Sequence, residues 1–375
     1  MKLQFLDPLY AHPGPIASAC LDTSRDVGDP DRAIELRLRS LRESLLAHDA
    51  DEATVGALAS AVGTDRDVAG RHGQALFAAH GSLLLAQCLP EPPARDSARF
   101  GMLPDVLALA LQHAPDLPYA AVVLNRVHPA GPGRGDDEGE GDREGGLELE
   151  LEHERGRWPI SRVAPGPRGH RRVPVEGWPK EAEQLLAELV DGVETDGTEA
   201  IVPAGDPWAV NSLIRAAPRA LQGRFVKLEH GRPRRPEPGR ALLEDELAGL
   251  FAGRLPDHDR HLLDSYTGQR ARHPEYVEGL AAAVGALQRG QARALFLNRP
   301  VRHTGHLWVG AAPTHLALSG EELSAFGLHY YWEEPAAGAA LLRAAAGTQA
   351  ELVVLPEEEV PLEDGVAVLL RYTGP

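Results

Sequence analysis

The hydrophobic positions in the first third of the chain alternate between strand spacing and helix spacing. A mostly apolar run at 15–22 predicts a buried strand. Asp29-Pro30-Asp31 has the composition of a helix start, with an acidic N-cap and proline at the first helical position. Ile34, Leu38, Leu41 and Leu45 then fall on one face. Further elements are predicted as a helix at 51–62, strands at 74–79 and 82–88 joined by His80-Gly81, and a helix at 103–113.

The same alternation continues to the end of the chain. In the middle it predicts strands at 119–127, 147–151, 200–206 and 224–229, with a helix at 179–193. Further on it predicts helices at 240–253, 257–269, 276–289, 320–326 and 336–346, and strands at 294–298, 306–310, 352–355 and 366–372. Helices and strands that alternate in this way indicate an α/β fold that ends in a small α/β sandwich.

Proline- and glycine-rich stretches divide the pattern into three expected domains. They fall at 115–118 and 231–239, so the expected domains are 1–115, 116–235 and 236–375. The stretch 129–146 consists almost entirely of Gly, Pro, Asp, Glu and Arg, which cannot form a packed core, so we expect a disordered insertion there. The middle domain also contains a basic segment at 158–173, which we expect to be a loop.

Charge and cysteine content narrow the class of protein. The 38 basic and 55 acidic residues give a formal net charge of −17, which argues against a general nucleic-acid coat but allows a local basic patch. No run of eighteen apolar residues and no long apolar N-terminal segment occur, so we expect neither a membrane span nor a secretory signal. The only cysteines, Cys20 and Cys88, are expected to be buried free thiols in a cytoplasmic protein.

Searches for catalytic and cofactor motifs are negative. The sequence has no Gly-Lys dipeptide of a phosphate-binding P-loop, no Gly-x-Gly-x-x-Gly, no Gly-x-Ser-x-Gly and no His-Glu-x-x-His. Two closely spaced histidine pairs, His258/His261 and His303/His306, lack an evident further ligand cluster and are taken as surface residues. Asp206 is expected to cap a helix with its own carboxylate. We therefore expect no metal and no cofactor.

The segment 158–173 is the strongest candidate site. It carries four arginines, one histidine and no acid, which is unusual in an acidic protein. Arginine binds phosphate through two parallel hydrogen bonds, and glycine lets a backbone approach a ligand closely. The alternative is an exposed loop that is rich in arginine by chance. The candidate RNA-binding residues are Arg162, Gly166, Arg168, Gly169, His170, Arg171 and Arg172.

Several blocks spread over nearly the whole chain resemble one protein family. They are Leu21–Asp26, Asp29–Leu36, Gly70–Phe77, Pro92–Phe100, Trp158-Pro159-Ile160, Ala204-Gly205-Asp206, Gly290-Gln291 and Leu307–Gly310. These blocks resemble actinobacterial relatives of the archaeal and eukaryotic peptide-chain release factor and of Pelota, a family that includes the ribosome hibernation factor Balon. None of the blocks is a catalytic motif.

The resemblance implies a role for each expected domain. It implies an N-terminal domain directed at the decoding centre, a middle domain whose loop reaches the peptidyl-transferase centre, and a C-terminal sandwich that faces partner factors. In release factors that loop carries Gly-Gly-Gln, whose glutamine helps water attack the peptidyl-tRNA ester. At the corresponding place this sequence has Gly166-Pro167-Arg168-Gly169-His170-Arg171-Arg172 and no glutamine.

These observations favour a release-factor-like protein that is not an enzyme. We expect it to bind the ribosomal A site, through rRNA of that site and of the peptidyl-transferase centre, in hibernation or stress. Elongation factor Tu is a candidate partner GTPase. One alternative is a peptidyl-tRNA hydrolase, rescue enzyme or nuclease with His170 as general base. The other is a stress-associated protein whose acidic surface binds another protein.

Overall fold

A computed structural model describes residues 1–128, 147–228, 235–301 and 305–372. Of the expected features, the insertion 129–146 and part of the linker 231–239 lie outside these residues, as does His303. The described chain separates into two compact units. The first combines residues 1–116 with 253–375, and the second is 117–252.

The N-terminal segment of the first unit is a four-stranded antiparallel sheet with helices packed on it. Its strands are β1 (Ile16–Asp22), β2 (Gly73–Ala79), β3 (Ser82–Leu89) and β4 (Ser97–Gly101), in the order β3-β2-β1-β4. Its helices are α1 (Asp7–Tyr10), α2 (Pro30–Ala47), α3 (Glu52–Ala61) and α4 (Leu107–His113). The Asp29 carboxylate accepts a hydrogen bond from the amide of Arg32, so the predicted cap of α2 is confirmed.

The second unit is built on a mixed sheet. Its strands are β5 (Leu117–Val127), β6 (Glu148–Trp158), β7 (Arg168–Pro174) and β8 (Ala200–Gly205), and its helices are α5 (Trp178–Thr195), α6 (Pro207–Ala216), α7 (Arg219–Gln222) and α8 (Glu244–Phe251). The order is β7-β6-β5-β8, with β8 parallel to β5 and the other pairs antiparallel. Among the described residues, β7 is therefore an edge strand. Helices α5 and α6 cover one face, and α8 covers the other.

The C-terminal segment belongs to the first unit and contains two small sheets. Its helices are α9 (Asp257–Arg270), α10 (Gly279–Gln288), α11 (Gly320–Ala325) and α12 (Ala337–Gly347). One sheet has the order β13-β9-β14 and is formed by β9 (Ala292–Arg299), β13 (Glu351–Pro356) and β14 (Val366–Leu370). The other has the order β11-β10-β12 and is formed by β10 (Leu307–Gly310), β11 (Leu316–Ala317) and β12 (Tyr331–Glu334). The predicted α/β class is confirmed.

The N-terminal and C-terminal segments of the first unit share one hydrophobic core. Leu9, Val106 and Leu109 pack in the same buried cluster as Leu287 and Leu341. An ion pair between Arg99 and the buried Glu334 also joins the two segments. Non-local contacts of this kind bury apolar surface that neither segment could cover alone.

The second unit extends further along the chain than the expected middle domain. Residues 236–252 fall in this unit, whereas the sequence analysis assigns them to the C-terminal domain. The physical reason is burial, because Leu242, Leu243, Leu247 and Phe251 pack on the face of the sheet that contains Tyr119. The division into three domains itself stays a prediction.

The cysteines differ in burial. Both are free, but Cys20 is buried as expected, whereas Cys88 is only partly buried. Burial raises the pKa of Cys20 to about 12 and that of Cys88 to about 11. Such thiols are almost entirely protonated at neutral pH and are poor nucleophiles. Among the described residues, no helix combines the length and the apolar character that a bilayer span requires.

Candidate RNA interface on strand β7

The segment 158–173, expected to be a loop, is in part a β-strand. Trp158 ends β6, a short turn follows, and Arg168–Pro174 forms β7 along β6. The physical reason is the match between the two sequences. In register, Glu150 lies opposite Arg172, Glu152 opposite His170, and Glu154 opposite Arg168. Cross-strand pairs of opposite charge stabilise this pairing.

We call these six residues the charge ladder. Alternation along a strand places all six on one face of the sheet, the face that α8 covers. The ladder contains three of the candidate RNA-binding residues, namely Arg168, His170 and Arg172. It therefore gives these three residues an intramolecular role.

Arg168 is the most deeply anchored member of the ladder. Its Nε lies 2.7 Å from Glu154 Oε2, and the Glu154 side chain has no exposed surface. The Tyr119 hydroxyl donates to Glu154 Oε1 at 3.0 Å, and the amide of Leu242 donates to Oε2 at 3.0 Å. The Arg168 guanidinium also donates to the carbonyl of Arg240. Burial raises the pKa of Tyr119 well above its ordinary value, so this hydroxyl stays a donor.

His170 and Arg172 share one acceptor and remain half exposed. His170 Nε2 lies 3.0 Å from Glu150 Oε1, and the Arg172 guanidinium donates to the same oxygen at 3.0 Å. These hydrogen bonds, that of His170 first, hold the pKa of Glu150 below its ordinary value. The side chains of His170 and Arg172 are 52% and 48% exposed, so both can also reach a ligand.

Arg171 points to the opposite face and pairs with α5. Its guanidinium contacts Glu188 at 2.9 Å and Glu181 at 3.1 Å. Nearby, burial is the main cause that lowers the pKa of His153, which favours the neutral imidazole. Arg171 keeps 28% of its side chain exposed.

Arg162 lies in the turn before β7, apart from the ladder. Its Nε lies 3.0 Å from Glu244 Oε1, and its guanidinium carbon lies 5.7 Å from the centre of the Trp158 ring. Only 18% of its side chain is exposed. The structure therefore brings together Arg168, His170, Arg171 and Arg172 on one strand and places Arg162 against α8.

The two candidate glycines are explained by packing against β6. A Cβ at Gly166 would lie 1.7 Å from the carbonyl oxygen of Arg155, which only glycine avoids. A Cβ at Gly169 would lie 1.9 Å from Nε2 of His153, the residue opposite it in the sheet. Close approach to the neighbouring strand, and not to a ligand, accounts for glycine at both positions.

Glu150, Glu152 and His170 are also close enough to share a cation. One donor atom from each lies within 4.8 Å of the others. However, Oε1 of Glu150 already accepts hydrogen bonds from the Arg172 guanidinium. We assign no metal to this group.

The partner acids were the residues that sequence reasoning missed. Glu150, in the strand predicted at 147–151, is 8% exposed, and Glu154, beyond the predicted end of that strand, is fully buried. The available signal was the matching spacing of Glu150, Glu152 and Glu154 against Arg168, His170 and Arg172.

Comparison with solved structures gives low-identity matches. Archaeal translation termination factor aRF1 is 13% identical over 98% of this chain and 96% of its own, with a TM-score of 0.21. Pelota from Archaeoglobus fulgidus is 12% identical over 80% of each chain, with a TM-score of 0.31. Dom34 from S. cerevisiae is 12% identical over 76% of each chain, with a TM-score of 0.32.

Comparison with sequences locates the family resemblance. No curated protein matches the chain. The model of bacterial archaeo-eukaryotic release factor family 2 matches residues 133–272. This range includes β6, β7, β8 and all of the candidate residues. The part of the chain that carries the charge ladder is thus similar to bacterial archaeo-eukaryotic release factor family 2.

Proposed function

We propose that this protein binds the ribosomal A site as a release-factor-like protein and does not catalyse peptide release. The observation that carries the proposal is the family match over 133–272, combined with the sequence of β7 inside it. Where the resemblance places the catalytic Gly-Gly-Gln loop, the chain has a strand with three arginines and a histidine. Such a strand supports binding to phosphate and offers no glutamine to position water.

The proposed RNA contacts are the exposed arginines and the histidine of β7. Arg172 and His170 are half exposed, and Arg171 is partly exposed. Arginine matches phosphate through two parallel hydrogen bonds, and an RNA phosphate can replace a surface carboxylate as its partner. Arg168 and Arg162 are less exposed than Arg172, and their ion pairs with Glu154 and Glu244 hold the strand and the turn before it in place.

The proposed setting is the cytoplasm in hibernation or stress, as for Balon-type actinobacterial relatives. There the protein would occlude the A site by contacting rRNA from the decoding centre to the peptidyl-transferase centre. A translational GTPase such as elongation factor Tu is the proposed partner. Short-range contacts must supply the binding, because a net charge of −17 repels polyanions at distances up to about one Debye length, roughly 8–10 Å.

A second candidate function is peptidyl-tRNA hydrolysis, which one observation favours. The His170 imidazole is exposed and is oriented by the Glu150 carboxylate at 3.0 Å. A histidine that a carboxylate orients is a common general base. An oxyanion hole would also be required, and the described residues around His170 do not supply an evident one.

Co-sedimentation with bacterial ribosomes tests the proposed binding. The variant Arg171→Ala/Arg172→Ala should bind more weakly than the parent. The slope of log affinity against log salt should flatten by about 1.4–1.8, because each of the two phosphate contacts contributes roughly 0.7–0.9. Arg32→Ala/Arg39→Ala is the matched control, since both side chains lie on α2 and are more than 60% exposed. Equal binding and equal slopes for parent, β7 variant and control would contradict the proposal.

A further inference from the structure

A second cationic surface lies on α6, away from β7 in the sheet order. Trp208 sits in the first turn of α6 and is 44% exposed. The other tryptophans of this unit, Trp158 and Trp178, are buried. The exposure of this indole calls for an explanation, because burying a tryptophan side chain is strongly favourable.

The position of Trp208 is fixed by a short chain of contacts. The Asp206 carboxylate caps α6 by accepting from the amide of Ala209 at 2.9 Å, as the sequence predicted. Its other oxygen lies 2.8 Å from Nε of Arg126, at the end of β5. The Arg126 guanidinium carbon in turn lies 5.3 Å from the centre of the Trp208 ring. The indole is therefore held in place beside a cation.

Further cations extend along the same helix face. Asn211 and Arg215 follow Trp208 at three and seven residues, a spacing that places them on one side of α6. Lys227 is exposed, and its Nζ donates to Asn211 Oδ1 at 3.3 Å. The backbone of Ile201 in β8 forms hydrogen bonds with the carbonyl of Arg224 and the amide of Val226, which brings Lys227 to this position.

Arg215 and Lys227 differ from the arginines of β7 in their ion pairing. Arg168, Arg171 and Arg172 are all paired with carboxylates. Within the described ranges, by contrast, neither Arg215 nor Lys227 takes part in an ion pair. A cation outside any ion pair gains one when it meets a phosphate and does not have to break one first. We call Arg126, Trp208, Asn211, Arg215 and Lys227 the α6 strip.

We propose that the α6 strip binds single-stranded RNA, with Trp208 stacking on a base and Arg215 and Lys227 contacting phosphates. A flat aromatic surface beside cations that run along one line is the combination that single-stranded nucleic acid requires. An acidic peptide would use the cations but has no flat group for the indole. This proposal deepens the proposed function by adding a second RNA contact. It rests on the proposed function in one respect only, the identity of the RNA that is bound.

Fluorescence anisotropy of a short, dye-labelled oligouridylate, titrated with the full-length protein, tests the proposal without ribosomes and gives an affinity for every variant. Binding should quench tryptophan fluorescence. Trp208→Ala should lower the affinity for oligouridylate by about tenfold or more. Trp208→Phe should retain most of the affinity but lose the quenching. Arg215→Ala/Lys227→Ala should reduce the salt slope by about 1.4, or about 0.7 for each phosphate contact on a single strand. Thermal unfolding should show every variant folded, because the altered side chains are exposed.

The outcomes separate this proposal from the one for β7. Unchanged oligouridylate affinity in Trp208→Ala would overturn the strip proposal, as would binding of poly-glutamate with equal affinity and equal sensitivity to Trp208→Ala. Arg32→Ala/Arg39→Ala is the charge control and should bind oligouridylate like the parent. If Arg171→Ala/Arg172→Ala binds ribosomes normally while Trp208→Ala loses oligouridylate, the β7 proposal fails and the strip proposal stands.

Discussion

The Nε atom of Arg168 lies 2.7 Å from the Oε2 atom of Glu154, a carboxylate with no solvent-exposed side-chain surface. This pair connects the edge strand β7 to the interior of its sheet. Tyr119 and the amide of Leu242 complete the hydrogen bonds of the same carboxylate. The arginine that is most central to the predicted RNA-binding segment is thus a structural residue.

Arg168→Ala should destabilise the second unit by about 3 kcal/mol, the lower end of the range for a broken buried ion pair, because Arg168 itself is partly exposed. The reason is that Glu154 would remain buried without its cation. Urea unfolding at neutral pH measures the change. Arg172→Ala is the matched control on the same strand and should cost less than about 1 kcal/mol, as for an exposed ion pair. Equal losses for the two variants would contradict the assignment.

The two glycines near β7 should respond differently to alanine. Gly166→Ala should lower the free energy of unfolding by about 3 kcal/mol, because the new Cβ would meet a backbone carbonyl that cannot move away. Gly169→Ala should lower the free energy of unfolding by about 1 kcal/mol, since the new Cβ meets the end of the His153 side chain, which can rotate. Double-mutant cycles with His153→Ala check the second case. That change should rescue Gly169→Ala and leave Gly166→Ala unaffected.

Purified protein should not accelerate the hydrolysis of peptidyl-tRNA on programmed ribosomes. Peptide release needs a positioned water, and 158–180 contains no glutamine to hold one. Release of labelled peptide over time is the measurement. A rate above background that disappears in His170→Ala would favour the hydrolase. A rate that survives in His170→Ala would indicate a contaminant or another residue.

Acid should destabilise the first unit partly through His113. This imidazole stacks on Phe5 with ring centres 4.3 Å apart, and its buried Nε2 has no hydrogen-bond partner among the residues that the structure describes. Burial lowers the pKa of His113 from 6.5 to about 4. Between these values the unfolded chain binds a proton that the folded chain does not. Stability is therefore complete above pH 6.5 and falls as the pH drops toward 4, by at most about 1.4 kcal/mol per pH unit.

His113→Phe should remove this contribution while keeping the stacking. Urea unfolding at neutral pH and at a pH near 5 should show a smaller loss for the variant than for the parent. At neutral pH the variant should be as stable as the parent, because it replaces an unpartnered polar atom with an apolar one. An identical loss in both proteins would show that other groups cause the acid sensitivity.

Local sequence predicted many of the elements, because their signals are local, but in the strand expected at 224–229 the described residues form only an isolated bridge between Phe225 and Ile201. Asp29 and Asp206 cap the helices they were expected to cap, and the strand over 119–127 lies within β5. The partners of the basic segment were not predictable in this way. Glu150 and Glu154 became buried only through pairing with β7, and the register of that pairing is a non-local property. Residues 236–252 pack in the second unit for the same reason, because their apolar side chains contact the face of the sheet that contains Tyr119.

The position of β7 at the edge of its sheet has a consequence for self-association. An unpaired strand edge is a template on which a second chain can add a strand. Here the outer strand carries charged side chains along most of its length and ends in Pro174, which has no amide hydrogen to donate. Like charges on two such edges would repel each other. The arginines proposed to bind RNA therefore also protect the protein against edge-to-edge aggregation, and neutralising Arg171 and Arg172 should lower its solubility.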